Sequence, residues 1–205
     1  TCEFDYSQLN PNMIYKLENK DIGETDAYDR VLEGNHRDIV KQAFNAMVQS
    51  ETPLIQKPKD IKIDALNISW KKLKQAIINA HKSIEHVFFK GKGNHLQFID
   101  SNIAEGVMLQ FVDKDIPILP IHDSFIMHHG YGYLGDLEEA MRSSYYDIFK
   151  SDIGINEEIY KEVKVDKPKS DGNIEWDNIE FDHILKADDD RSLWRERNDE
   201  WDNVK

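Results

Sequence analysis

Hydrophobic positions recur along the chain at the spacings of short strands and amphipathic helices. Residues 2–6 have the pattern of a short β-strand. Apolar residues three and four apart predict helices from Pro11, over 36–50, from Trp70 to Phe88, over 100–112 and over 134–149. Two apolar runs, 116–121 and 125–128, flank a polar tip and predict a β-hairpin. The pattern as a whole predicts an α+β fold in which helices pack behind an antiparallel sheet.

Capping and breaking residues mark the ends of these helices. Pro11 suits a first helical turn, and Pro53 ends the helix that precedes it. Ser69 is an expected N-cap, and Gly91 and Gly93 are expected to end the helix that Ser69 begins. The side chains of the last helix that are expected to face the core are Leu137, Met141, Tyr145 and Ile148.

The charge of the chain is distributed unevenly. The chain has 205 residues, 40% of them hydrophobic, and a net charge of −13, which taken alone argues against a polyanionic partner. Residues 151–205 hold 17 acidic and 9 basic residues, whereas residues 70–95 hold six lysines and one glutamate. We therefore expect a folded region over 1–150, an acidic C-terminal extension over 151–205, and a basic surface that could still bind nucleic acid.

The apolar runs, the N-terminal residues and the cysteine content indicate the cellular compartment of the protein. The longest apolar run, 116–121, is much shorter than the ~20 residues of a membrane-spanning helix, and residues 1–5 do not resemble a signal peptide. Cys2 is the single cysteine, so an intrachain disulfide is excluded. A cytoplasmic protein without a membrane partner is expected, and an organelle is not excluded.

Two acids and two bases lie where packing alone does not favour charge. Asp5 ends the first predicted strand and Asp123 lies at the hairpin tip, so the two carboxylates converge if their strands are neighbours. Converging carboxylates favour protonation or a bound cation, and Mg²⁺ prefers such oxygen ligands. Arg37 and Lys41, four residues apart, share one helix face. A metal site beside a cationic helix is typical of phosphoryl transfer.

Three segments resemble, in order, motifs A, B and C of the superfamily that contains the family A DNA polymerases and the single-subunit phage-type RNA polymerases. The matching residues are 5–8 (DYSQ) for motif A, Arg37 and Lys41 with Phe44 and Asn45 for motif B, and 122–124 (HDS) for motif C. Residues 96–104 resemble the helix before motif C. The sequence of motif C is more similar to that of the single-subunit RNA polymerases. Motif A is closer to the DNA enzymes, in particular to a compact variant on mobile elements and in bacterial genomes.

The resemblance implies that residues 1–150 form a palm and fingers catalytic region, with a palm-type antiparallel sheet, helices packed behind it and a short fingers helix that carries Arg37 and Lys41. It also implies a role for each matching residue. Asp5 and Asp123 would hold two Mg²⁺ ions. The residues expected to bind the incoming nucleoside triphosphate are Asn10, Arg37, Lys41, Phe44 and Asn45. Those expected to bind the nucleic acid primer and template are Gln97, His122, Lys71, Lys74 and Lys82. A bacterial, phage or mobile-element host is implied, and the chain is expected to be the C-terminal part of a longer polymerase or to act with an accessory subunit.

The chain departs from the family at positions that select the sugar. Leu9 and Asn10 stand where the DNA polymerases have Ile and Glu, and Gln49 and Ser50 stand where an aromatic residue and Gly are expected. These differences leave RNA synthesis as an alternative to DNA synthesis. They also leave open a palm fold that binds nucleic acid without catalysis. A metal-dependent nuclease is a weaker alternative, since it needs further clustered acids.

Each residue singled out also has an ordinary structural explanation. Asp5 could cap a helix, Asp123 could be a turn residue, and Arg37 and Lys41 could form a solvated helix face. His81 and His86 lie in the basic segment and are expected to face phosphate or solvent. The occurrence of the three motifs in order favours the polymerase hypothesis.

Overall fold

A four-stranded antiparallel sheet and the helices packed on it form an α+β fold, as the sequence predicts. The computed structural model describes residues 2–112, 114–128 and 134–159. The strands are β1 (Cys2–Tyr6), β2 (Leu119–Ile121), β3 (Ser124–Met127) and β4 (Ile155–Ile159). The helices are α1 (Leu9–Leu17), α2 (Arg37–Gln49), α3 (Trp70–Ala80), α4 (Gly93–Val112) and α5 (Leu134–Phe149). All described residues belong to one compact unit, Thr1–Lys161.

The strand β1 lies inside the sheet, in the order β2-β3-β1-β4. It pairs with β3 so that Asp5 is opposite Ser124, which confirms that the strands carrying the two predicted carboxylates are neighbours. It pairs on its other side with β4, which lies within the predicted C-terminal extension. The sheet therefore extends nine residues past position 150, to Ile159. The expectation for residues 160–205 lies outside the described residues.

Alternation along β1 separates a core face from an open face. Cys2, Phe4 and Tyr6 are buried, and the Tyr6 hydroxyl donates a hydrogen bond to the Met141 carbonyl of α5 at 2.6 Å. Because side chains alternate along a strand, Glu3 and Asp5 point to the other face. The hydrophobic face thus anchors the sheet on α5, and the carboxylates are left on the open face.

The predicted helix from Trp70 to Phe88 is wrong in its second half. Ser69 caps α3, its Oγ accepting from the Lys72 N–H at 3.3 Å, but the α-helix ends at Ala80 and a 3₁₀ turn follows over Lys82–Val87. The apolar residues after the break are buried all the same, so their spacing indicated burial and not one continuous helix. The helix predicted over 100–112 begins earlier, since Gly93 is the first residue of α4.

The last helix has the predicted bounds. Leu137, Met141 and Tyr145 are buried as expected, whereas Ile148 is 43% exposed. Within the described ranges, no helix is both long enough and apolar enough to cross a membrane.

His81 is not on the surface. Its side chain is fully buried, and its Nε2 lies 2.9 Å from the Ala27 carbonyl oxygen. Because a carbonyl only accepts, Nε2 carries the hydrogen, and Nδ1 accepts from the Tyr15 hydroxyl at 2.9 Å. Burial lowers the pKa of His81 to about 4, so it is neutral at physiological pH. His86 is exposed, as expected, and its Nε2 lies 2.7 Å from a Glu18 oxygen.

Candidate functional site

A cleft of about 210 Å³ opens between the hairpin, α1, α2 and α4. Its lining residues are Leu9, Asn10, Lys41, Asn45, Val48, Gln49, Gly93, Leu96, Gln97, Asp100, His122 and Asp123. Six of the predicted site residues are in this set: Asn10, Lys41, Asn45, Gln97, His122 and Asp123. The fold therefore brings together residues from four separate segments of the sequence.

The hairpin carries Asp123 to the end of β1. His122 and Asp123 form the turn between β2 and β3, and His122 has a left-handed backbone with φ of 55°. The Asp123 carbonyl accepts from the Tyr6 N–H at 3.1 Å, which fixes the turn beside Asp5. Asp5 does not line the cleft itself. It lies beside Asp123, because Asp5 pairs with Ser124, the residue that follows Asp123. The charges of Asp123 and Lys41 both act on its pKa.

Three carboxylates share this region, and two of them resist ionisation. Burial, followed by the charge of Asp123, raises the pKa of Asp5 from 3.8 to about 6, although Lys41 opposes the shift. Burial and Asp123 likewise raise the pKa of Asp100 to about 6, opposed by His122. Negative charge is thus concentrated at one end of the cleft, where a cation would relieve it.

Asp5→Asn is expected to stabilise the protein at pH 7.5 by about 1–2 kcal/mol. The rise in the pKa of Asp5 from 3.8 to about 6 corresponds to an unfavourable free energy of about 3 kcal/mol, and the partial exposure of the carboxylate reduces this free energy. The pKa of Asp5 is higher in the folded state, so its ionised form is unfavourable above pH 6, and the penalty disappears as pH falls toward 3.8. Thermal unfolding at pH 7.5 and 4 measures the difference. Asp60→Asn, at an exposed position, is the control. A lower melting temperature for Asp5→Asn at pH 7.5 would contradict the assignment.

The two predicted cations of α2 have different surroundings. Lys41 is exposed and lines the cleft. Arg37 does not line it, and its guanidinium makes an ion pair with Asp26 at 3.2 Å. Arg37 nevertheless lowers the pKa of Asp5, although less than Lys41 does. Lys41 is therefore the cation of the cleft, and Arg37 lies at its margin.

Amide side chains also line the cleft and form an amide wall of Asn10, Asn45, Gln49 and Gln97. The Asn10 Nδ2 donates to the Asn45 Oδ1 at 3.3 Å, which joins α1 to α2. Gln49 and Gln97 extend the wall along α2 and α4. An amide offers both a donor and an acceptor, so this wall suits a polar group without charge.

Phe44 and the predicted lysines lie elsewhere. The Phe44 side chain is fully buried, and its ring is 5.0 Å from the His81 ring, so it packs in the core and not against a ligand in the cleft. Lys71 is exposed on α3, Lys74 donates to the Leu54 carbonyl, and Lys82 pairs with Glu85. None of the three lysines lines the cleft.

The wall of the cleft depends on close packing between α2 and α4. The N–H groups of Phe89 and Lys92 donate to the carbonyls of Met47 and Val48 at 2.8 and 3.0 Å, which satisfies the C-terminal end of α2 and places the start of α4 beside it. A Cβ on Gly93 would lie 2.7 Å from the Gln49 Cγ and 3.3 Å from its Cα. A glycine is therefore needed at this position.

Gly93→Ala is expected to destabilise the fold by about 1–2 kcal/mol, because α2 and α4 must separate to admit the methyl group. Gln49, which lines the cleft, must shift in the same step. Gly135→Ala is the matched control, since a Cβ there meets nothing within 4 Å. Urea unfolding of both variants measures the difference, and equal stabilities would show that the contact is not tight.

The carboxylates of this site are better suited to a cation that is also bound by a ligand than to a metal ion bound by protein side chains alone. Among residues 2–112, 114–128 and 134–159, no group of three or more His, Cys, Asp or Glu side chains is arranged to hold a metal ion. Asp5 and Asp123 are two neighbouring carboxylates, and the charge of Asp123 contributes to the raised pKa of Asp5. Mg²⁺ is commonly bound by one or two carboxylates together with water and substrate phosphates, so the pair fits Mg²⁺ that arrives with a phosphorylated ligand.

No family model, curated protein or solved structure significantly matches this chain. The geometry of the site itself therefore carries the functional argument.

Asp100 and Asp26 belong to the site region, although neither was predicted to have a role. The pair Gln97 and Asp100 lies one helical turn apart on α4, a spacing that places both on one face, and this signal could have found Asp100. Asp26 lies in an irregular segment, and its contact with Arg37 has no periodic signal.

Proposed function

We propose that this protein is a template-directed nucleotidyltransferase, a DNA-directed DNA polymerase with a palm-type sheet. The observation that carries the proposal is the meeting of motif B and motif C residues at one cleft, with Asp5 of motif A beside it. Asp5, Lys41 and Asp123 are far apart in sequence, and their charges act on one another in the fold. A set of unrelated surface charges has no reason to converge in this way.

The residues in and beside the cleft have different roles in phosphoryl transfer. Asp5 and Asp123 would hold two Mg²⁺ ions, which supply activation of the primer 3′-hydroxyl and neutralise charge on the leaving pyrophosphate. Lys41, with Arg37 at the margin, binds the triphosphate of the nucleotide. The amide wall of Asn10 and Asn45 contacts its uncharged part.

The nucleic acid approaches from the hairpin side. His122 and Gln97 line the cleft beside Asp123 and are suited to the primer terminus. Lys71 and Lys82 are exposed and add positive charge for duplex phosphates, so their contribution weakens with salt.

The test is primer extension by the full chain on a labelled DNA primer–template, with Mg²⁺ or with a chelator. Addition of deoxynucleotides that requires Mg²⁺ and follows the template supports the proposal. Absence of extension together with absence of primer–template binding would refute it. Binding without extension, with and without added accessory subunits, would favour the alternative of a palm module that binds nucleic acid without catalysis.

RNA synthesis is the second candidate, and one observation favours it. Asn10, at the position where DNA enzymes have an acid that excludes ribonucleotides, is hydrogen-bonded to Asn45 and lines the cleft. An amide can both donate to and accept from a sugar hydroxyl, whereas an ionised carboxylate can only accept. Running the same assay with ribonucleotides distinguishes the two products.

A further inference from the structure

Arg37 is held along one edge and over one face of its guanidinium. Its Nε and Nη2 atoms each donate to the Asp26 Oδ2 at 3.2 Å. Its Cζ lies 5.2 Å from the centroid of the Tyr28 ring. The side chain is still 37% exposed, and it makes no other hydrogen bond to the described part of the chain. The edge that includes Nη1 is therefore open.

The Asp26 carboxylate that holds this edge is itself fixed by the backbone. Its Oδ1 accepts from the N–H groups of Tyr28 and Asp29 at 2.8 and 3.1 Å. Both carboxylate oxygens are thus used, one for the local turn and one for Arg37. A carboxylate bound in this way acts as a rigid support and not as a mobile counter-ion.

The backbone turn at Asp26 is itself hydrogen-bonded to the segment that follows the strand with Asp5. Gln8, three residues after Asp5, accepts with its Oε1 from the Ala27 N–H at 2.5 Å. On the other side, His81 donates to the Ala27 carbonyl at 2.9 Å. Gln8 also has a left-handed backbone, with φ of 53°. A continuous set of contacts therefore fixes the Arg37 guanidinium relative to the Asp5 carboxylate.

We propose that Asp26 is a positioning residue that holds the open edge of Arg37 toward the polyphosphate of a nucleotide in the cleft. This proposal rests on the proposed function, since it presumes that a nucleotide binds there. A free arginine side chain loses rotamer freedom when it binds phosphate, whereas Arg37 is already ordered. Asp26 thus acts through Arg37 and does not touch the ligand.

The direction in which polyphosphate affinity changes when Asp26 is replaced distinguishes a positioning role from a purely electrostatic one. Asp26 carries a negative charge beside a cation that would bind an anion. If charge alone mattered, removing it would strengthen the binding of polyphosphate. A positioning role predicts the opposite, because Arg37 then has to be ordered during binding.

The experiment is calorimetric titration of the full chain with a deoxynucleoside triphosphate and Mg²⁺, and separately with inorganic tripolyphosphate and Mg²⁺. The variants are Asp26→Asn, Asp26→Glu, Arg37→Gln and the double variant Asp26→Asn with Arg37→Gln. Asp38→Asn is the matched control, because Asp38 is an exposed acid adjacent to Arg37 on α2. Thermal unfolding shows whether each variant is folded.

Asp26→Asn is expected to weaken both ligands up to about tenfold, and Arg37→Gln at least as much. The double variant is expected to match Arg37→Gln, since Asp26 acts only through Arg37. Asp26→Glu restores part of the affinity, and Asp38→Asn leaves it unchanged or slightly stronger.

Unchanged or tighter binding by Asp26→Asn, with weaker binding by Arg37→Gln, would overturn the positioning role and leave the proposed function intact. Absence of binding by the wild-type chain would instead count against the proposed function. If Asp26→Asn is unfolded, Asp26→Glu decides the matter, because it keeps the charge and changes the geometry: affinity below that of wild type supports positioning, and affinity equal to or above that of wild type overturns it.

Discussion

Asp123→Asn is expected to lower the rate of nucleotide incorporation by about three orders of magnitude or more. Asp123 lines the cleft and is the charge with the largest effect on the pKa of Asp5, so the pair is expected to share whatever cation binds. Charge neutralisation by metal is worth several kcal/mol in phosphoryl transfer, and each 1.4 kcal/mol is about a factor of ten in rate. Single-turnover incorporation of one nucleotide measures the loss.

Asp60→Asn is the control for this experiment, because it removes the same charge from an exposed position in the segment before α3. It is expected to keep the wild-type rate. A rate for Asp123→Asn within a few fold of wild type would show that this carboxylate does not hold the catalytic cation.

His81→Phe is expected to lower the free energy of unfolding by about 3–5 kcal/mol. An aromatic ring is kept, although a larger one, but the Tyr15 hydroxyl and the Ala27 carbonyl both lose their partner inside the protein. Each unsatisfied buried group costs about 1–3 kcal/mol. Phe also replaces a polar ring edge that lies among aromatic side chains, which adds a packing cost. Urea unfolding at pH 7.5 measures the loss.

His86→Ala is the control, since this histidine is exposed and its pair with Glu18 lies at the surface. It is expected to cost less than about 1 kcal/mol. Losses of similar size in the two variants would contradict the buried role of His81. The lowered pKa of His81 adds a second check, because the unfolded chain takes up a proton first as pH falls from 6.5 to about 4. The wild type, but not His81→Phe, should lose stability from this residue in that range.

The pattern of apolar residues located the strands that carry the site. The apolar runs indicated β1 and β3 themselves, whereas their pairing was only the condition for the two carboxylates to meet, and the structure satisfies it. The last strand, β4, could not be predicted in the same way. Glu157 and Glu158 lie in its middle, and an edge strand paired on one side needs little hydrophobic surface.

Long-range contacts explain what the sequence could not predict about His81 and Phe44. A histidine within a lysine-rich segment has the composition of a surface position, yet its two partners lie 66 and 54 residues away in the chain. Phe44 follows the predicted motif B pattern, but its helix turns this position toward the core. Motif spacing therefore located α2 correctly and left the direction of one side chain to tertiary packing.

The most direct test of the central claim is metal-dependent binding of a nucleoside triphosphate by the complete chain. The claim is that Asp5 and Asp123 hold a cation together with the phosphates of a nucleotide. Calorimetry should detect binding with Mg²⁺, little binding with a chelator, and a loss of the metal-dependent part in the Asp5→Asn, Asp123→Asn double variant. Binding of equal strength without metal, or unchanged metal-dependent binding in the double variant, would contradict the account.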